Sequence, residues 1–295
     1  MNAKAIAPID LVALVTVAGI WGVNNVLVKI ALNAMPPLFV LSARFAMVVI
    51  ILAMFLKPSP ELEAKGGWRA LMWVTLLTGP LHFGLQYIGV ALARDLSPMV
   101  VGMQLWIPAS VIFAGLLLGE RIGPMRIAGI VASFAGVLAM VFDPRVFEQV
   151  GALTLVALAA FTYGAGAVMV RRGPALHPLS YQAWIALLSL PVVAPASLLF
   201  EHARWDAAFN AGWLPWAAVA FGAIGSNVVA STLMFALVQK YEVSRTTPFL
   251  FLSPVTAIVL GVIVLRDPLT AQIAVGAGLT LLGVALTAMA ERRLT

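Results

Sequence analysis

The chain carries the same punctuation twice. Trp21-Gly22-Val23-Asn24-Asn25-Val26-Leu27-Val28-Lys29, followed by Pro36, is matched by Tyr163-Gly164-Ala165-Gly166-Ala167-Val168-Met169-Val170-Arg171, followed by Pro178. One constant offset aligns Gly22 with Gly164, Lys29 with Arg171 and the two prolines. Farther on, Pro108 and Gly115 align with Pro254 and Gly261, and after a one-residue slip Glu120, Gly129 and Gly136 align with Asp267, Gly276 and Gly283. Apolar stretches of the length needed to cross a bilayer, about 20 residues, recur near 9–31, 37–56, 68–93, 97–118, 123–142, 150–170, 178–200, 212–238, 244–265 and 269–290. The expected units are residues 1–145 and 146–295, each crossing five times. An odd number of crossings turns the second copy upside down relative to the first, which is the inverted-repeat construction of secondary transporters. The expected fold is an all-α integral membrane protein of ten transmembrane helices in two inverted repeats.

Composition agrees. Hydrophobic residues make up 62% of the chain, charged residues only 10%, and the mean hydropathy is +1.02; soluble domains average about 25% charged residues. The longest polar stretch, Lys57 to Arg69, is too short for a soluble domain. The first span is too long for the apolar core of a signal peptide, and no small-residue cleavage site with a mature domain follows it. Lys4, Lys57, Lys65, Arg69, Arg121, Arg126, Arg171, Arg172, Lys240, Arg245, Arg292 and Arg293 fall on one side of the spans, against Lys29, Arg94, Arg145, Arg204 and Arg266 on the other. Cytoplasmic loops hold the excess of such residues, so both termini are expected in the cytoplasm. Topology then accounts for the net charge of +6, and nucleic acid is not needed as a partner. The absence of cysteine excludes disulfides and thiolate metal sites.

The run Trp21-Gly22-x-Asn24-x-x-x-x-Lys29, then Pro36-Pro37 and Arg44-Phe45, then Gly119-Glu120-Arg121 with Gly129 and Gly136, resembles the ten-helix EamA-type branch of the drug/metabolite transporter superfamily. Asp267-Pro268-Leu269-Thr270 with Gly276 and Gly283 is similar to that family's acidic-Pro-Leu-Thr element, with Asp in place of the more usual Glu. The resemblance covers nearly the whole chain. It implies an inner-membrane exporter of amino acids or related compounds, of the bacterial aromatic amino-acid exporter type, working without a cofactor or metal.

Polar groups within spans are functional candidates, because a charge there costs at least ~2.5 to 3.5 kcal/mol on insertion scales. Arg44 lies about a third of the way down the second span, as a tether between helices or a partner for backbone carbonyls or a substrate carboxylate. Lys29 lies near the end of the first span, where it can snorkel outward; a structural or gating role suits both. Trp21, Asn24, Asn25, His82, Gln86, Gln104, Trp106, Tyr163, Trp184 and Asn227 fall in the central half of their helices, with Tyr87 obliquely beside His82 and Gln86. Tryptophan prefers the membrane interface, so Trp21 and Trp106 at mid-depth are expected to line an amphipathic cavity. Aromatic faces and amides suit a zwitterion with an apolar or aromatic side chain; the bland alternative is that the amides bond across helices.

All twelve acidic residues fall in loops or at span ends. A proton-coupled cycle would have to run through His82, which titrates near neutrality, so facilitated diffusion is equally open. Pro108 and Pro254 are expected to kink their helices, with Pro80, Pro191 and Pro248 as further weak points. The stripes Gly129 to Ser133 and Gly276 to Thr280 read as close helix packing or a homodimer face, for a monomer or weak homodimer. An enzyme would need a metal or acid–base cluster at one depth, whereas His82, His177 and His202 lie at different depths. A channel would need a continuous polar pore. A nucleoside or drug-like cargo remains the alternative to an amino acid.

Overall fold

Backbone N–H and C=O groups in hydrocarbon must find partners within the chain, and a helix satisfies them locally. The computed structural model describes residues 7–120, 122–170, 173–240, 249–250 and 252–289. Lys4, Arg121, Arg171, Arg172, Glu242, Arg245, Pro248, Glu291, Arg292 and Arg293 lie outside the described residues. Ten helical segments run through the bundle: α1 (Pro8–Ala34), α2 (Pro37–Ile51), α3 (Gly67–Leu76 continued by His82–Leu92), α4 (Leu96–Met103 and Trp106–Leu118), α5 (Pro124–Val141), α6 (Val150–Val170), α7 (Pro178–Glu201), α8 (Trp213–Phe221 continued by Ser231–Lys240), α9 (Leu252–Leu260) and α10 (Ala271–Met289). The described residues of α1, α4, α5, α6, α7 and α8 are long and apolar enough to cross a membrane, and α2, α9 and α10 are shorter apolar helices. Helices α1, α2, α5 and α7 open on a proline at the first turn, where the missing N–H costs nothing.

The packing carries a two-fold exchange. Helix α2 packs against α7 and α5 against α10; α1 packs against α8 and α9, just as α6 packs against α3 and α4. Exchanging the two halves converts each contact into another contact of the same set. With five helices per half, this is the inverted-repeat architecture.

The matched residues of the sequence repeat have a physical meaning in this exchange. A Cβ at Gly22 would lie 2.6 Å from Cβ of Thr256 and 2.9 Å from the Ser253 carbonyl. At Gly164 it would lie 2.8 Å from the Ser110 amide and 2.9 Å from the Trp106 carbonyl. Each glycine lets the opening helix of its half approach the proline-bearing helix of the other. The expected kink at Pro108 falls slightly ahead of it: between Met103 and Trp106 the ladder tightens, with Gln104 N donating to Val101 O at 3.0 Å and Leu105 N to Gly102 O at 3.2 Å.

The small-residue stripes meet one another inside the chain. A Cβ at Gly136 would stand 2.6 Å from the Gly276 carbonyl, and one at Gly283 would stand 2.6 Å from that of Gly129. Thr280 Oγ1 donates across the seam to Ser133 O at 3.3 Å. Both stripes are therefore used between α5 and α10, which leaves neither as a homodimer face.

Three stretches widen from α to π winding: Leu77–Leu81 inside α3, Gly222–Ala230 inside α8, and Gly261–Leu265 at the end of α9. Helices α3 and α8 occupy equivalent places in the two halves, so the distortion is itself repeated. In α3 the segment contains Pro80, which has no N–H to donate to the ladder.

Candidate functional site

Between the halves lies a cavity of about 590 Å³. Of the residues expected to form a belt, Trp21, Asn24 and Asn25 on α1, His82, Gln86 and Tyr87 on α3, Trp106 on α4, Tyr163 on α6 and Asn227 on α8 line it. Two do not. Trp184 packs edge-on against Trp68, ring centroids 5.0 Å apart, in a cluster with Leu62 and Leu71. Gln104 sits at the break in α4, and its side-chain amide donates to Val100 O at 3.4 Å within the same helix. Depth along a span does not fix which way a side chain faces, and the tightened turn rotates Gln104 away. The cavity also takes in Thr78, Phe83, Tyr181, Gln182 and Ser226, which the depth argument missed. Gln182 was open to discovery as an uncharged polar residue in an apolar span, two positions before Trp184.

The π windings shape this wall. Thr78 and Ser226 lie within them, His82 directly follows one, and Asn227 sits inside the other. A π turn shifts the register of the following residues around the helix, so the polar faces of α3 and α8 both turn toward the space between the halves.

Arg44 reaches the cavity from the middle of α2 and is 3% exposed. Among the described residues it makes no bond to a backbone carbonyl. Nη1 donates to the Tyr87 hydroxyl at 2.5 Å, Nη2 donates to Asn227 Oδ1, and the guanidinium carbon stands 5.4 Å from the centroid of Phe83. Asn227 Nδ2 in turn donates to Gln182 Oε1 at 3.3 Å. Arg44 Nε and Asn24 Oδ1 are buried without partners. Gly222 makes room for this group: a Cβ there would lie 3.2 Å from both Arg44 Nη1 and Asn24 Oδ1.

His82 is buried against α6, its Nδ1 3.0 Å from Ala159 O. A carbonyl only accepts, so Nδ1 carries the proton and Nε2 is the acceptor of the neutral ring. The ring stacks obliquely on Tyr163 at 4.7 Å, and Tyr163 meets Trp106 edge-on at 5.3 Å. Phe83 extends this aromatic run toward Arg44, its ring 4.6 Å from that of His82 and 5.4 Å from the guanidinium carbon, so rings and polar groups stand side by side along the cavity.

The end of the bundle where α1 passes into α2 is clasped. Lys29 does not snorkel outward: it is buried, and Nζ donates to the carbonyls of Val90, at 3.0 Å, and Ala93, at the end of α3. Those carbonyls lie at the end of α3, where they lack helical partners and offer the amine acceptors without water. Asp267 Oδ2 accepts from Leu96 N at 2.8 Å, Ser97 N at 2.7 Å and Ser97 Oγ at 2.9 Å, so the loop before α10 caps the start of α4. Thr270 donates to Asp143, Arg94 N donates to Gln149 Oε1 at 2.8 Å, and Glu201 accepts from Leu38 N at 3.0 Å and Phe39 N at 2.9 Å. Burial, and then the neighbouring Asp267 charge, push the Asp95 carboxyl above the usual carboxylate range. Among the described residues no group of three His, Asp or Glu side chains is placed to hold a metal ion.

An inverted-repeat helical bundle with a polar and aromatic cavity between its halves defines a membrane transporter. The family model of EamA-like transporters matches residues 9–142 and again 150–289. The chain belongs to the EamA-like transporter family, within the drug/metabolite transporter superfamily. It is similar to a protein of Salmonella typhimurium named "Probable amino-acid metabolite efflux pump", 23% identical over 90% of this chain and 89% of the relative. An Escherichia coli protein of the same name is 24% identical over 93% of each chain. A Bacillus subtilis protein named "Uncharacterized transporter YvbV" is 28% identical over 87% of this chain and 84% of its own. A solved structure shares the fold with a TM-score of 0.63 at 20% identity, covering 97% of this chain and 98% of the other.

Proposed function

We propose that the protein exports small neutral amino acids or their close relatives, those with apolar or aromatic side chains foremost, across the inner membrane by alternating access. The observation that carries this reading is a cavity lined by both aromatic rings and polar groups. Trp21, Trp106 and Tyr163 offer faces for an apolar or aromatic side chain, and Asn24, Gln86, Asn227 and Arg44 offer hydrogen bonds for its polar end. The names of the Salmonella and Escherichia relatives support an amino-acid cargo and outward movement.

In this reading both termini are cytoplasmic, and the Lys29 and Asp267 clasp is the outer gate, closed in this conformation. Opening it exchanges the bonds on the Val90 and Ala93 carbonyls and the Leu96 and Ser97 amides for bonds to water, which leaves the two states close in energy. Among the described residues the cavity wall supplies no carboxylate, and in this reading transport runs down the cargo's own gradient without His82 carrying a proton. Counterflow into proteoliposomes with labelled amino acids and nucleosides tests the cargo: exchange of neutral amino acids is expected, and exchange of nucleosides alone sinks the reading. Single cysteines placed near Lys65 and Arg204 should label from opposite sides; labelling of both from one side removes the proposed topology.

A further inference from the structure

The cavity holds a charge without a counter-charge. Among the described residues Arg44 is the one arginine or lysine on its wall and no aspartate or glutamate lines it; the two acceptors bound to its guanidinium, the Tyr87 hydroxyl and Asn227 Oδ1, are both neutral. All twelve acidic residues of the sequence lie in loops or at span ends. A guanidinium has five N–H donors, and Tyr87 and Asn227 engage one on each terminal nitrogen, which orients the planar fork without neutralising it. An uncompensated cation at membrane depth is costly and is kept where it meets a ligand or an ion path. The absence of an acid also bears on the opposite pole of an amino acid: an ammonium in this cavity finds only the unpartnered Asn24 Oδ1, other neutral oxygens and aromatic faces.

We infer that the cavity selects its cargo by the carboxylate, which pairs with the Arg44 guanidinium, and that the cargo's ammonium is dispensable. A single guanidinium matches the planar single charge of a carboxylate. The second nearby cation, Lys29, is engaged with backbone carbonyls at the clasp and is not on the cavity wall, so a doubly charged phosphate would remain half compensated. Asn227 and Tyr87 are positioning residues: they hold the fork and take no charge from it. The selected class is therefore monocarboxylates with an apolar or aromatic body, of which neutral amino acids are one kind. This inference rests on the cargo reading above but parts from it at the ammonium.

Four probes sharing one phenyl body separate the two. In purified protein, with quenching of the cavity tryptophans Trp21 and Trp106 as the readout, L-phenylalanine and 3-phenylpropionate are expected to bind within a few-fold of each other. L-Phenylalaninamide and phenethylamine, which lack the carboxylate, should bind at least ~10-fold more weakly, the scale of one lost charge-assisted bond. Asn227→Asp places a carboxylate beside the guanidinium, and should weaken both acids about 10-fold or more while leaving the two amines no weaker. Arg44→Lys, which keeps charge but loses the fork, should lie between the parent and Asn227→Asp. Thermal melting establishes that each variant is folded. Amines that bind the parent as tightly as the acids, or a folded Asn227→Asp protein that binds acids normally, overturn the inference. Binding of 3-phenylpropionate without phenylalanine leaves the carboxylate site standing and removes the amino-acid reading; a cavity that binds none of the four removes both.

Discussion

The seam between α5 and α10 and the cavity between the halves use opposite chemistry at similar depth. At the seam Gly129, Gly136, Gly276 and Gly283 bring two backbones close enough that any added Cβ meets the opposite helix. Its hydroxyls bond mainly within their own helices, as Ser133 Oγ does to Gly129 O at 2.9 Å. At the cavity the helices carry π windings, large rings and a buried cation held by neutral partners. Membrane helices gain no hydrophobic drive from one another, so tight van der Waals packing is what holds a fixed contact. The seam fits that description, whereas the cavity carries polar groups with vacant bonding capacity. On the alternating-access cycle proposed above, the seam would be the frame and the cavity helices the moving parts.

The largest effect expected is at the frame. Gly136→Leu drives a side chain into the Gly276 carbonyl and the Thr280 backbone, neither of which is a flexible tip. A destabilisation of ~3 kcal/mol or more is expected, read as loss of monodisperse protein on size-exclusion chromatography. A folded, active Gly136→Leu protein would erase the contrast between seam and cavity.

Next comes the cavity wall. Trp106→Ala removes the ring that meets Tyr163 edge-on at 5.3 Å and opens space where the cargo is proposed to sit. Counterflow should fall by about 10-fold or more, the scale set by a lost aromatic contact, while the protein elutes and melts as a folded species. Gln86→Ala should act in the same direction with a smaller loss. Normal exchange by both variants would break the comparison from the other side, since the wall would then be frame as well.

How much of this was legible before the structure depends on what each signal measures. The repeated glycines and prolines were readable because backbone approach tolerates few residues: Gly22 against Thr256 and Gly164 against Ser110 leave no room for a Cβ. Depth of the polar belt was readable because insertion energy depends on depth. Facing was not, since one residue turns a helix by about 100°, and Gln104 and Trp184 point elsewhere for that reason. Of the π windings that aim His82 and Asn227, the first is marked in the sequence by Pro80, whereas the second contains no proline. Lys29 looked free to snorkel because nothing in the sequence places the end of α3 beside it.

His82 tests whether the moving parts carry protons. Its Nδ1 donates to Ala159 O, and among the described residues no acid stands with it on the cavity wall. His82→Gln keeps a side-chain donor and cannot titrate, so the variant should still equilibrate cargo across liposomes, within a few-fold of the parent and without an imposed pH gradient. Complete loss in the variant, together with gradient-driven accumulation by the parent, would make His82 the coupling group instead.

The smallest effect expected lies where frame and cavity helices join. The clasp ties Asp143 and Thr270, which flank α5 and α10, and Asp267 to the start of α4. Asp95 sits in that clasp, with Arg94, Arg145 and Asp267 acting on its charge and the Gln149 side chain donating to its Oδ2 at 3.3 Å. Its carboxyl is raised by burial first and by the Asp267 charge second, so ionising it costs more in the folded protein than in the unfolded chain. Below the ordinary carboxylate range Asp95 is neutral in both states and carries no penalty. As pH rises through that range and then past the raised value, the penalty grows to a plateau. Asp95→Asn keeps an acceptor for Gln149 and removes the charge. The variant should therefore melt about 1–2 °C above the parent near pH ~7.5, with the gain shrinking toward zero near pH ~3. An equal gain at both pH values would trace the effect to packing, and a loss at the higher one would mean that the Asp95 charge holds the clasp together.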